Sequence, residues 1–351
     1  MSKKLAALVG FAAALLPLTA SAHEVYVLTP QEIAAATAAP AFNMWAVFLS
    51  NQYQFYFWAL IAAITVFIVF GVSLVRPLER LIDPLIGRGR RFAPAIARIT
   101  VGVSFIAAAY YQATYGPELP LAPTYGALAP LITALLLAMG ACIILGIWTR
   151  IAALAALLLF AFSAYVHGSY MLTYTNYLGE ILVLLLIGAH HGSVEGPVSR
   201  LKIRNAFDAL ARRLAPYSFA IIRVAFGISL LYASVYAKVI HNNLALDVAT
   251  LPLAGHSGSI AQAFGLEPHF LVLGAAIVEA VVATFFMLGI EIRFTSIFLE
   301  FWLSLSLWYF GETVWPHVIL IGIPLAFILY GYDKYSIEGY FFRKQPLEPW
   351  L

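Results

Sequence analysis

Between Phe57 and Leu329 the chain returns repeatedly to uncharged apolar runs, each about long enough to cross a bilayer, and almost every basic residue falls on one side of them. With 62% hydrophobic and 11% charged residues, too little polar surface remains to cover a soluble globule of 351 residues, whereas lipid needs no such cover. The mean hydropathy of +0.89 agrees. The expected class is an all-α polytopic membrane protein whose first partner is the lipid bilayer.

Residues 1–22 read as a signal peptide: Lys3 and Lys4, an apolar stretch from Leu5 to Leu16, then Ala20-Ser21-Ala22 before a cleavage point at His23. Nine later segments read as spanning helices, at about 54–75, 95–115, 126–147, 151–168, 174–190, 217–237, 270–290, 294–311 and 316–332. Trp148-Thr149-Arg150 and Glu291-Ile292-Arg293 are the only polar punctuation within two pairs, which makes those pairs antiparallel hairpins. Starting outside, nine crossings leave the C-terminus in the cytoplasm. They also place 17 of the 18 Lys and Arg residues after His23 on the cytoplasmic side, with Lys238 the exception. This is the positive-inside asymmetry of a cytoplasmic (inner) membrane protein. The net charge of +3 therefore reports orientation and implies no nucleic acid.

Two regions outside the spans have character. Residues 199–214 carry Ile203, Phe207, Leu210 and Leu214 on one helical face, as an interfacial helix would. The longest external loop, 239–268, reads either as a connector or as a partner surface.

Shifting the sequence on itself by 143 residues aligns Gly146–Gly196 with Gly289–Gly339 without a gap, pairing Arg150 with Arg293, Gly188 with Gly331 and Glu195 with Glu338. A shift of 125 aligns Arg98, Gly102, Ser104 and Tyr111 with Arg223, Gly227, Ser229 and Tyr236. The pattern is a tandem, parallel repeat of a four-helix unit. Its expected parts are 23–94 (external segment, first span and basic loop), 95–196 (first unit), 197–216 (amphipathic linker), 217–339 (second unit) and 340–351 (tail). Small residues such as Gly102 and Gly140 suit close helix packing. Arg98 and Arg223, which open equivalent helices, read as anchors at the inner interface or as headgroup ligands.

A unit that begins Arg-x3-Gly-x-Ser, closes its second helix with Leu-Gly-Ile-x-x-Arg and ends Gly-x4-Ser-x-Glu-Gly resembles the DoxX family, here present twice. The resemblance implies quinone or thiol redox work near the outer face, as an oxidoreductase-associated component with a periplasmic or membrane redox partner. The duplication and the leading helix depart from the single-unit pattern.

Charged groups at membrane depth are costly and mark function or specific pairing. Glu180, Glu279 and Glu300 are the intramembrane carboxylates, candidates for proton handling as catalytic groups. At the external helix ends lie His167, Tyr170, Tyr174, Glu312, Trp315 and His317. Of these, His167, Tyr174, Trp315 and His317 are the candidates for binding a quinone headgroup. An interfacial belt of aromatic side chains is the plainer alternative. No group has metal-ligand spacing, and His23 alone offers too few donors for copper. Cys142 stands alone, so neither a disulfide nor a thiol pair forms within the chain. Phosphate-binding loops and zinc-protease motifs are missing, so ATP-driven transport and metalloproteolysis lose support. Three readings remain: a quinone-linked or redox-accessory component, a proton-coupled small-solute permease, and a non-catalytic assembly scaffold.

Overall fold

The computed structural model describes residues 28–55, 57–66, 81, 84–188, 212–251, 258–310 and 315–342. Among them no strand occurs, and five helices are long and apolar enough to cross a membrane. The architecture is that of an all-helical membrane protein. Backbone placed in lipid must satisfy its own hydrogen bonds, and helices do so locally.

In chain order the helices are α1 (Pro30–Ala38), α2 (Met44–Asn51), α3 (Phe57–Val66), α4 (Ala93–Tyr110), α5 (Leu121–Tyr125), α6 (Ala129–Leu145), α7 (Thr149–His167) and α8 (Thr175–Ile187). They continue with α9 (Ser218–Val235), α10 (Asn242–Thr250), α11 (Ile260–Phe264), α12 (Pro268–Leu288), α13 (Ile292–Phe310), α14 (Pro316–Tyr330) and α15 (Ile337–Phe342). The expected interfacial helix at 199–214 falls almost wholly outside the described residues, as do His23 and Glu312.

Two hairpins are closed the same way. α6 ends at Gly146 and α12 at Gly289, both in the left-handed region with φ of 66° and 69°. That region is open to glycine at little cost and lets the last turn close. Trp148 and Glu291, 143 residues apart, also have positive φ. At the same distance Arg150 donates to the Ile187 carbonyl at 3.2 Å, and Arg293 donates to that of Ile328 at 2.8 Å.

Close approach depends on missing side chains. A Cβ on Gly102 of α4 would lie 2.9 Å from the Gly140 carbonyl oxygen of α6, and one on Gly227 of α9 would lie 2.8 Å from that of Ala283 in α12. The packing then crosses over. α8 rests on α9, and α14 rests on α4. At the first contact a Cβ on Gly179 would come 2.5 Å from Ala225; at the second, one on Gly322 would overlap Thr100. Gly179 and Gly322 are 143 residues apart, and Thr100 and Ala225 are 125 apart.

The end of the bundle bearing Arg90, Arg150, Arg223 and Arg293 is called the basic end below. Arg223 is 1% exposed there and gives Nε to Asp333 at 3.1 Å and Nη1 to the carbonyls of Phe286 and Met287. It ties α9 to the end of α12 and to the segment after α14; its guanidinium is turned inward, away from lipid headgroups. The Ser-x-Glu-Gly motif closes the same knot: Ser336 Oγ accepts from Gly339 N–H at 2.8 Å, and Glu338 accepts from Ile292 N–H at 3.2 Å. Arg98 is likewise buried.

At the far end, α1, α2 and α10 form a layer over the bundle. Leu28 and Ala36 pack on Leu244 and Val248. Asn242 grips the Phe42 backbone from both sides, accepting from N–H at 3.0 Å and donating to C=O at 2.8 Å. The described residues of the loop after the sixth expected span, 239–251 and 258–268, thus include α10, which folds against α1 and the Phe42 backbone. Burial, with the charge of Glu32 adding to it, holds the Asp247 carboxyl of α10 above the usual range. The folded layer thus binds the Asp247 proton more tightly than the open chain, so its stability falls as pH rises through that window. In Asp247→Asn, hydrogen exchange at α10 should be slower than in the parent at neutral pH, with the difference vanishing under acid conditions.

Candidate functional site

The loop joining α4 to α5 is pinned on itself by Thr114 N–H to Leu119 O at 3.0 Å and Leu121 N–H to Gln112 O at 2.8 Å. These bonds turn Glu118 back over the bundle. Tyr170 donates to Glu118 Oε1 at 3.1 Å, and Tyr174 donates to the same oxygen. Gly116 leaves the space those groups need, since a Cβ there would meet the Tyr174 hydroxyl and the Glu118 carboxylate. Tyr170 and Tyr174 stand on the 3-10 segment Gly168–Tyr174 that precedes α8.

Beside them lies a cavity of about 210 Å³. Glu118, His167, Tyr170 and Tyr236 supply its polar wall, and Ile33 and Thr37 of α1 with Leu244 of α10 its roof. Tyr236 meets Tyr170 edge to face at 4.9 Å. It opens the π-helical turn Tyr236–Ile240, a wide turn of a kind that often marks functional sites.

The same turn carries Lys238, the one cation expected outside. It is 6% exposed, with Nζ 3.1 Å from Glu279 Oε2 in the middle of α12. Glu279 is thus held in an ion pair. Glu180 of α8 is 2% exposed and Glu300 sits on α13, and in each Oε1 is buried with no partner. The three carboxylates stand on three different helices.

The expected headgroup ligands fall into two groups. His167 lines the cavity and Tyr174 bonds its carboxylate. Trp315 and His317 are both buried at the start of α14 and line no part of the cavity; Trp315 stacks on Tyr111 with centroids 4.9 Å apart.

Glu118 and Tyr236 were not singled out by the sequence. A usable signal existed for Glu118, a carboxylate following Gly116-Pro117 in a loop otherwise free of charge. For Tyr236 the signal was its match to Tyr111 at an offset of 125. Among the described residues no three His, Cys, Asp or Glu side chains converge as metal ligands.

The arrangement is a small polar cavity at the end of a membrane bundle, able to give hydrogen bonds from the Tyr236 phenol and the His167 imidazole and to take a proton on the Glu118 carboxylate. Comparison of the chain with protein-family models, with curated proteins and with solved structures gives no match.

Proposed function

We propose that the chain is a DoxX-like integral protein of the cytoplasmic membrane, with its basic end inside and its far end outside, that binds a quinone headgroup as a quinone-linked or redox-accessory component. The observation that carries this reading is the far-end cavity. Its volume of about 210 Å³ is below the ~300–1,000 Å³ common for drug-sized ligands, so it suits one substituted ring with an attached tail left in lipid. Two carbonyl oxygens on such a ring need donors, which His167 and Tyr236 supply, and an acid-base group, which Glu118 supplies. A quinone brings two-electron chemistry, with the electrons passing to or from a redox partner at the outer face. The protein's share is to orient the ring beneath α1 and α10 and to hold the proton.

The reciprocal contacts of α8 on α9 and α14 on α4 also favour two parallel units around a pseudo-twofold axis. Nine crossings, with the first built on α3, follow from that reading.

Mass spectrometry of protein extracted in mild detergent tests the proposal. Isoprenoid quinone should leave with the parent chain in near-stoichiometric amount and fall at least ~10-fold in Glu118→Gln and His167→Ala, as expected when more than about 1.4 kcal/mol of binding is lost. Retention in both variants, or no quinone in the parent, would overturn it.

One observation favours a second reading, a proton-coupled permease. The Lys238–Glu279 pair and the partnerless oxygens of Glu180 and Glu300 are costly at this depth. It requires solute flux in reconstituted vesicles that Glu279→Gln abolishes.

A further inference from the structure

We propose that Tyr174, Tyr177 and Glu180 form a proton path from the far-end cavity into the core of the bundle. The use made of the protons rests on the cavity reading above; the path itself does not. The three residues recur at intervals of three along the 3-10 segment and α8, which makes each the surface neighbour of the next. Tyr174 gives its hydroxyl to Glu118, the cavity's carboxylate. Its ring lies 6.1 Å from that of Tyr177.

Tyr177 is 1% exposed, and its hydroxyl lies beside Ser104 of α4 without closing a well-formed hydrogen bond. One turn deeper stands Glu180. Ser104 Oγ, Tyr177 Oη and Glu180 Oε1 are therefore all buried and unsatisfied. Buried polar groups are nearly always paired, and a water molecule needs two to four such partners to be held. Packing alone does not call for these residues, because at the positions 143 further on Leu320 and Ile323 replace Tyr177 and Glu180.

Several titratable or charged groups on the elements around α8 are engaged elsewhere, while Thr173 Oγ1 and Thr149 Oγ1 are buried without a partner. Tyr115 donates to Ala156 O at 3.3 Å, Arg150 to Ile187 O at 3.2 Å, and Arg223 of α9 is engaged with Asp333 at the basic end. In the transfer the Glu180 carboxyl O–H breaks and its proton passes, directly or through a bridging water, to Tyr177 Oη. The Tyr177 proton moves to Tyr174 Oη, and the Tyr174 proton to the Glu118 carboxylate. Each hydroxyl regains what it gives, the negative charge moves from Glu118 to Glu180, and no electron is transferred.

The test is infrared hydrogen–deuterium exchange on the full chain in lipid nanodiscs. A protonated-carboxyl band lost in Glu180→Gln identifies the group, and transfer to D2O times its exchange. Tyr177→Phe should slow that exchange about a hundredfold, the scale of removing one positioned proton-transfer group, while the Glu300 band exchanges as in the parent. Equal exchange in Tyr177→Phe and the parent, or no band belonging to Glu180, would overturn the path. Slowing or speeding of both bands would mean a general change in the bundle and would also count against it. No quinone enters the measurement, so the path can stand where the headgroup reading fails, and the reverse.

Discussion

Arg223→Ala should lower stability by about 3–5 kcal/mol, the usual cost of removing one partner from a buried ion pair. The substitution strands the Asp333 carboxylate, which is 4% exposed, and takes the guanidinium donor from the carbonyls of Phe286, which keeps Gly289 N–H, and of Met287. Three chain segments lose their common tie at once. The loss should appear as a large drop in the thermal midpoint of the detergent-solubilised protein. Arg223→Ala combined with Asp333→Asn should recover part of it, because the group left behind is then neutral. A double variant no more stable than the single one would show that the stranded charge is not the main cost.

Gly322→Leu should be the other severe change. Even a Cβ at Gly322 would overlap Thr100, and overpacking of a tight contact commonly costs about 1–3 kcal/mol. Here the overlap lies where α14 meets α4, so the helices must part or tilt. Gly322→Ala should be milder, and Thr100→Gly should rescue it by returning the space. The same logic holds at the matching contact, where Gly179→Ala should be rescued by Ala225→Gly. Thermal midpoints of the four single and two double variants decide it; rescue at neither contact would mean that the helices do not meet there.

Helix placement was legible from the sequence because apolar runs and turn glycines act locally. The segments expected at 126–147, 151–168 and 270–290 appear as Ala129–Leu145, Thr149–His167 and Pro268–Leu288. What the sequence did not disclose was mutual position. Arg223 reads as an interfacial anchor because Asp333 lies 110 residues away. Lys238 reads as external because nothing in its neighbourhood shows the π-turn that carries it to Glu279. Glu118 was overlooked because a carboxylate in a loop is ordinarily a solvated group; its meeting with Tyr170 and Tyr174 depends on how the loop folds back. His167 and Tyr174 were grouped with Trp315 and His317 by depth alone, and depth does not reveal which corner of the bundle a residue occupies.

The roof over the cavity lies where the two sequence offsets part company. Matching residues stand 125 apart through α4 and α9 and 143 apart from Gly146 onward, so the chain is longer in the stretch that holds α10 and α11 than in the stretch it would match. A pair of identical subunits would have to wear the same covering twice. A single polypeptide carries no such obligation: Glu118, His167 and Tyr170 come from its first half, Tyr236 and Leu244 from its second, and the cover is made once, by α1 and α10 together. Divided expression of the two halves would then give neither a complete chamber nor two half-strength ones, since each holds only part of the wall.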